Sequence, residues 1–381
     1  MVKPSSNPSA PASHRRPSGS KAAGGRSRAL LALASVVVLV LGGATVAAVI
    51  GDEDDTSPTP PGPATTSASS TDSSQDSPSE PPRTYRAFTD DSWWNTPLPY
   101  QAPDDPAESE ILDYMRTGVE SGNGCLMLAG AGDSPWGNPI YWAQTSDPEY
   151  NLEGVRGDRP PEVDSLRIPV SAEPASNNDG HMSIYDLDRG YVVALTDAEY
   201  DADSDEWSAS GASVTYLRSN GLHSDLPESD EPRNVGSHRG NNGATMTVSW
   251  DMVQAGSIRH VLKVAVGPEA ADRAVFPMVG SDGDYHGSDP GVPPQGIRLR
   301  IKPSIDLEEL QLNPQAFVIA QALQRYGFYI GDSGGVTALK LENTTAEGRG
   351  QLWDVSAFDL CGLPFTPDYW DVIEEGYDPS G

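Results

Sequence analysis

From residue 125 to residue 341 the chain is cut into short runs rich in β-branched and aromatic residues, each bounded by Gly, Pro, Asn or Asp. That punctuation constrains the fold more than any other feature. The runs fall at 126–129, 139–143, 166–170, 181–185, 191–196, 244–250, 258–266, 297–302, 328–330 and 336–341. Many short strands with a few short helices predict a mainly β domain, an antiparallel β-sandwich or jelly roll. Residues 186–190 and 332–335 read as hairpin turns.

Within the series, 293–336 reads most plainly. Apolar and cationic residues alternate from Ile297 to Lys302. An extended strand then carries Ile297, Leu299 and Ile301 on one face and Arg298, Arg300 and Lys302 on the other, a half-buried strand with a basic face. Asn313 suits a helix N-cap, Pro314 the first helical position, and Gly327 the left-handed residue that closes a helix. Phe317, Ala320, Leu323 and Tyr326 form an apolar stripe that packs on the sheet. Earlier in the chain, Trp93 to Pro99 reads as a strap over the core, and Asp105-Pro106 starts a short helix carrying Ile111, Leu112 and Met115.

The six Lys and Arg residues of the first fifty stand without an acid, so the remainder holds 19 basic against 55 acidic residues, a net of −36 where the whole chain has −30. A surface that acidic argues against nucleic acid and anionic lipid as partners. Residues 29–50 carry no charge and follow basic residues, which predicts a transmembrane signal anchor behind a basic cytoplasmic tail (1–28). Cleavage at the small residues near 44–48, giving a secreted protein, is the competing reading. Residues 51–82, dense in Pro, Ser, Thr and Asp, predict a disordered linker, and 83–381 an extracytoplasmic domain. Cys125 and Cys361 are the only cysteines, and an exported setting lets them form a disulfide; two free thiols are the alternative.

Five stretches carry a resemblance: Trp94 to Pro97, Asp179 to Asp186, Ile258 to Leu262, Gly296 to Lys302, and Tyr326 to Asp332. In this order they resemble a group of large secreted or membrane-anchored bacterial β-rich proteins. The resemblance spans most of 90–335 and is poor at 201–242 and in the C-terminal tail. It implies a single fold unit and brings no established catalytic residues.

Asp179, His181 and Asp186 lie close in sequence, with His181, Ser183 and Tyr185 on one strand face and Met182 and Ile184 on the other. A histidine held by a carboxylate can act as a general base, and the same residues can simply tie down strand and turn ends. His260 reads as a core histidine, or as a complement to His181 if its face lines a groove. Arg298, Arg300 and Lys302 can neutralise an anionic substrate or pair with the protein's own acids. Neutralising a uronate beside a base supports β-elimination, an analogy at the level of the fold. Two carboxylates among Asp179, Asp186 and Asp332 would instead support glycoside hydrolysis. The eight Trp residues, all in 83–381, supply core or sugar-stacking faces. Residues 201–205 have the alternating Asp of a calcium loop but lack its Gly and its closing Glu. No other metal or cofactor pattern is present.

The sequence thus points to a membrane-anchored extracytoplasmic protein acting on cell-surface or environmental polysaccharide, as lyase or hydrolase. A noncatalytic module that binds glycan or envelope, or a structural surface protein, is the alternative.

Overall fold

The computed structural model describes residues 84–378 apart from 118–123, 133, 158, 236–238 and 268–269. The expected tail (1–28), anchor (29–50) and linker (51–82) lie outside the described residues. Among the described residues no helix is long and apolar enough to cross a membrane.

The protein is mainly β. In chain order the strands are β1 (Met127–Ala129), β2 (Ile140–Trp142), β3 (Glu149–Tyr150), β4 (Leu166–Arg167), β5 (Met182–Asp186), β6 (Tyr191–Thr196), β7 (Glu199–Asp201) and β8 (Glu206–Ser208). There follow β9 (Gly211–Tyr216), β10 (Leu262–Val266), β11 (Ala271–Ala274), β12 (Pro294–Gln295), β13 (Arg298–Ile301), β14 (Phe328–Ser333), β15 (Ala338–Lys340) and β16 (Trp370–Ile373). The helices are α1 (Glu108–Thr117), α2 (Trp250–Gln254) and α3 (Pro314–Arg325). A six-stranded sheet has the order β1-β15-β10-β14-β13-β16 and a four-stranded sheet the order β2-β5-β6-β9; three two-stranded ladders complete the set.

Antiparallel pairings outnumber parallel ones in both large sheets, yet each sheet is mixed, because β1 runs parallel to β15, β10 to β14, and β2 to β5. Side-chain alternation fixes which face a residue takes, and it leaves the direction of the neighbouring strand open. The same ambiguity explains 332–335. Asp332 and Ser333 belong to β14, and the following residues step over β10 to reach β15 instead of closing a hairpin. The 186–190 turn is a hairpin, with Asp186 opposite Tyr191 and Gly190 at a φ of 78°. Residues 244–250 are not a strand. The Asn242 side chain accepts from the Ala244 amide at 3.0 Å at the entry to a short 3-10 turn (Ala244–Met246), after which α2 begins; such a local side-chain-to-backbone bond competes with strand pairing of the apolar run.

Alternation in β10 and β15 sends Leu262, Val264, Val266 and Leu339 into a core shared with α1, α2 and α3. The expected α3 forms as read, with the Asn313 side chain accepting from the Gln315 amide at 2.8 Å and Gly327 at a φ of 70°. Its buried face is broader than the stripe, since Ala316, Ile319 and Ala322 join Ala320 and Leu323 while Phe317 is only partly covered. Each large apolar side chain so buried contributes about 1.5–3 kcal/mol. Ile111, Leu112 and Met115 of α1 reach the same core. Met182, Ile184, Val193, Leu195 and Val214 fill a second core on the far face of the four-stranded sheet. A third cluster joins Tyr185 and Val192 of that sheet to Tyr329 of the other, under Trp93 and Trp94 of the strap. Cys125 and Cys361 meet in a disulfide with Cα atoms 5.0 Å apart.

The basic face of β13 is the largest departure from a half-buried strand, since Arg298 and Arg300 are each only 3% exposed. The strap covers them. Arg298 donates to the Tyr326 carbonyl (2.8 Å from Nε) and to that of Thr96 (3.2 Å). Arg300 donates to the Pro99 and Tyr100 carbonyls (2.6 and 2.9 Å) and meets Asp371 at 2.9 Å. Lys302 reaches Asp371 at 2.6 Å.

Candidate functional site

A cleft of about 510 Å³ opens where the third cluster stops, bordered by residues of both large sheets. Its shape follows from side-chain size. The positions of β5, β6 and β9 that point away from the second core carry Ser183, Ala194, Thr196 and Ser213, too small to reach across. From the other sheet the alternation that buried Leu262 and Leu339 turns Lys263 and Lys340 toward the space. The β10–β15 register pairs Val264 with Leu339 and Ala265 with Ala338, so Lys263 and Lys340 stand opposite one another one step further on. Arg239 and Asp282 enter from loops, and Asp332 from β14.

These charges form a net with one member left over. Arg239 pairs with Asp282 at 2.8 Å and also with Asp332, while Lys263 approaches Asp332 at 3.4 Å. Burial alone would favour the neutral acid of Asp332, but Lys263 and then Arg239 outweigh it and hold the carboxyl well below the usual carboxylate range. Gly331 fixes Lys263. A Cβ there would lie 2.9 Å from the Lys263 side-chain methylenes, so the stem lies flat across the glycine. The Lys340 ammonium has neither a hydrogen bond nor an ion pair among the described residues. Burial, and next the Lys263 charge, push its ammonium down to about 8, against the opposing pull of Asp332 and Asp179. At neutral pH a usable fraction of Lys340 is free amine.

His181 and Asp179 line this cleft. The alternation expected around them holds, with Ser183 and Tyr185 on the His181 side and Met182 and Ile184 in the second core. His181 lies 3.0 Å from the Gly137 carbonyl through Nε2 and 3.5 Å from the Asn177 amide through Nδ1. Burial first, then Lys340, push its pKa down to about 3, so the ring is neutral, with Nε2–H donating and Nδ1 accepting. It is a fixed donor in the wall. Asp186 sits at the other end of β5, roughly 16 Å away by strand rise, where it is fully buried, accepts from the Arg189 amide at 2.9 Å and faces Arg167 at 3.4 Å. His260 is buried beside the Val261 carbonyl at 2.9 Å, and burial pushes it down to about 4. Arg298 and Arg300 are bound under the strap, and Lys302 is held by Asp371. The structure therefore gathers Asp179, His181 and Asp332, and not Asp186, His260 or the β13 cations.

Reading the sequence missed Lys263, Lys340, Arg239 and Asp282. A signal existed, because 83–381 contains only three lysines and two of them interrupt apolar strands. Among the described residues no Phe, Tyr or Trp lines the cleft. Trp93, Trp94, Trp142, Trp207, Trp353 and Trp370 are buried, and Trp136 is exposed.

Two acidic groups lie elsewhere. Residues 201–205 join β7 to β8; Asp201 accepts from the Asp203 amide at 2.8 Å and Asp205 from the Tyr200 hydroxyl at 2.8 Å, which turns those carboxylates to local bonds. Asp104, Glu108 and Asp371 are the three carboxylates among the described residues close enough to share an ion, and Arg300 and Lys302 already engage Asp371. A buried brace also links the sheets. Glu347 accepts from the Ile140 amide at 2.8 Å, Glu342 from the Trp250 amide at 2.7 Å, and Arg349 bridges both carboxyls at 3.3 and 2.9 Å. Burial, then the Glu342 charge, push Glu347 up to about 9. The chain matches no protein-family model, no curated protein and no solved structure, so its site is argued from its own residues.

Proposed function

We propose that the protein is an extracytoplasmic enzyme that cleaves anionic polysaccharide by β-elimination in the cleft between its two large sheets, which together make a sandwich-like body. The reading places residues 29–50 in the membrane and the cleft outside it. The observation that carries it is Lys340, an amine in a polar cleft with no hydrogen-bond or ion-pair partner among the described residues, opposite Lys263 on the neighbouring strand.

Elimination needs a base to take the proton beside a carboxylate and a cation to stabilise the charge that develops there. Lys340 in its free form is the base: it takes the proton beside the carboxylate, and as the C=C bond forms and the glycosidic C–O bond breaks the ammonium returns that proton to the departing oxygen. Lys263, whose ammonium has a single 3.4 Å contact, keeps donors for the substrate carboxylate. The hydroxyls of Thr196 and Ser213 offer polar groups for sugar hydroxyls, while His181 and Ser183, bonded to Gly137, Asn177 and Asn138, hold the wall in shape. Hydrolysis fits less well, because Asp332 is held ionised and cannot supply the proton that a leaving oxygen requires. The test is to incubate the full-length protein with uronate-containing and neutral polysaccharides and weigh the products. Fragments one water short of hydrated sugars, from uronates alone, support the reading; fully hydrated fragments overturn it in favour of hydrolysis.

Noncatalytic glycan or envelope binding is the second reading, and one observation favours it. Tyr200 is 42% exposed, its hydroxyl fixed by Asp205, between shallow grooves of about 450 and 470 Å³ that both border Trp207. Retention on a glycan without fragments, lost on Tyr200→Ala, would make that the working account.

A further inference from the structure

We infer that Lys340 is a nucleophilic amine that captures the carbonyl of a ligand also bearing a carboxylate, forming an imine at Nζ while Lys263 receives the carboxylate. The inference rests, with the proposed function, on a cleft that takes a ligand, a free Lys340 amine and a carboxylate received by Lys263, and it names a ligand class of its own: 2-oxo acids and aldehydo acids, including acidic sugars in their open-chain form.

Placement carries the argument. The region 83–381 has three lysines, and their surroundings separate them. Lys302 is bound to Asp371 at 2.6 Å and Lys263 to Asp332 at 3.4 Å. Lys340 has neither kind of contact, although the protein has carboxylates in excess. Asp332, the carboxylate with the stronger pull on Lys340, already serves Arg239 and Lys263. A half-buried ammonium without a hydrogen-bond or ion-pair partner, opposite another cation, relieves its energy by losing a proton, the condition that makes lysine a nucleophile at neutral pH. The groups that set this balance are Lys263 and Arg239, which favour the free amine, and Asp332 and Asp179, which oppose it. His181, neutral, adds no charge. Beside the amine are the 510 Å³ space that admits a ligand and the ammonium of Lys263, pinned over Gly331.

The step balances. The Nζ lone pair adds to the carbonyl carbon as the C–O π bond closes onto oxygen, and a proton moves from nitrogen to that oxygen to give a carbinolamine. Loss of the hydroxyl with a second proton as water leaves the C=N bond. Oxidation state is unchanged, and water returns the amine and the carbonyl.

The probe is glyoxylate with sodium cyanoborohydride, applied to the full-length protein and read by peptide mass, with propanal as an aldehyde lacking the carboxylate. Lys340 should be alkylated at least about tenfold faster than Lys302 at neutral pH, since each pKa unit is worth a factor of ten in free amine. Its rate should rise with a midpoint near 8. In Lys263→Met the preference of Lys340 for glyoxylate over propanal should collapse, a ratio that cancels any general loss of reactivity. Equal labelling of Lys263, Lys302 and Lys340, no label on Lys340, or a preference unaffected by Lys263→Met would overturn the inference. Label at Lys340 in a protein that leaves every polysaccharide whole sinks the elimination reading and keeps this one; cleavage without label does the reverse.

Discussion

Two sets of cations occupy this acidic protein, and their fates differ. Arg298, Arg300 and Lys302 alternate along one strand and look, in sequence, like a surface made for an anion. The strap covers the two arginines, its carbonyls and Asp371 take their donors, Asp371 also holds Lys302, and all three become part of the frame. Lys263 and Lys340 are single interruptions in apolar strands, and the small side chains opposite leave them facing an open cleft. Whether a cation is architecture or chemistry is decided by what another part of the chain lays over it. Lys302 and Lys340 show the contrast directly: burial alone would lower Lys302, yet the Asp371 hydrogen bond and charge push it up, whereas Lys340 lacks that help and is pushed down.

Breaking the structural set should cost the most. Arg300→Met leaves Asp371 buried with Lys302 alone and should cost about 3–5 kcal/mol of stability, read by denaturant unfolding; an unchanged midpoint would put the β13 cations back among the candidates for substrate contact. Lys340→Met should leave stability within about 1 kcal/mol, because no bond is lost. Its turnover should fall about 10²- to 10⁴-fold, and a variant that cleaves at the wild-type rate removes Lys340 from the reaction. Gly331→Ala should displace Lys263 at a cost of about 1–3 kcal/mol, with substrate binding weakened and the Lys340 amine still present.

The Glu342–Glu347 brace sharpens the comparison from the acid side. Glu347 keeps in the folded state a proton that the unfolded chain releases near 4.5, so its contribution to stability is full below that pH and is lost as pH rises toward about 9. Glu347→Gln should flatten that part of the stability profile, and an undiminished slope would place the proton elsewhere. The smallest effect is expected at His181. Glutamine can still donate to the Gly137 carbonyl, so His181→Gln should change turnover by less than about tenfold, and the pH–rate profile should show no limb near 6.5. A large loss would restore His181 as the base.

The helix at 314–325, the strap, the hairpin at 186–190 and the face assignment around His181 were legible because each rests on local rules: caps, glycine turns and alternation. Strand direction was not legible, since it depends on pairings such as β10 with β14 that no local pattern encodes. The site was legible in part. Asp179 and His181 sit at a strand entry and stood out in sequence; Lys263 and Lys340 did not, because only the register of β10 and β15 brings them together. The β13 strip misled for the converse reason, its cover coming from residues 96–100, far off in the chain.

The most direct test of the contrast is a site-resolved NMR titration of the lysine side chains in the intact protein. Lys340 should titrate near 8 and Lys302 above the ordinary lysine range, with Lys340 moving upward in Lys263→Met. Lys340 and Lys302 titrating together above 10.5 would show both amines to be structural and would contradict the account.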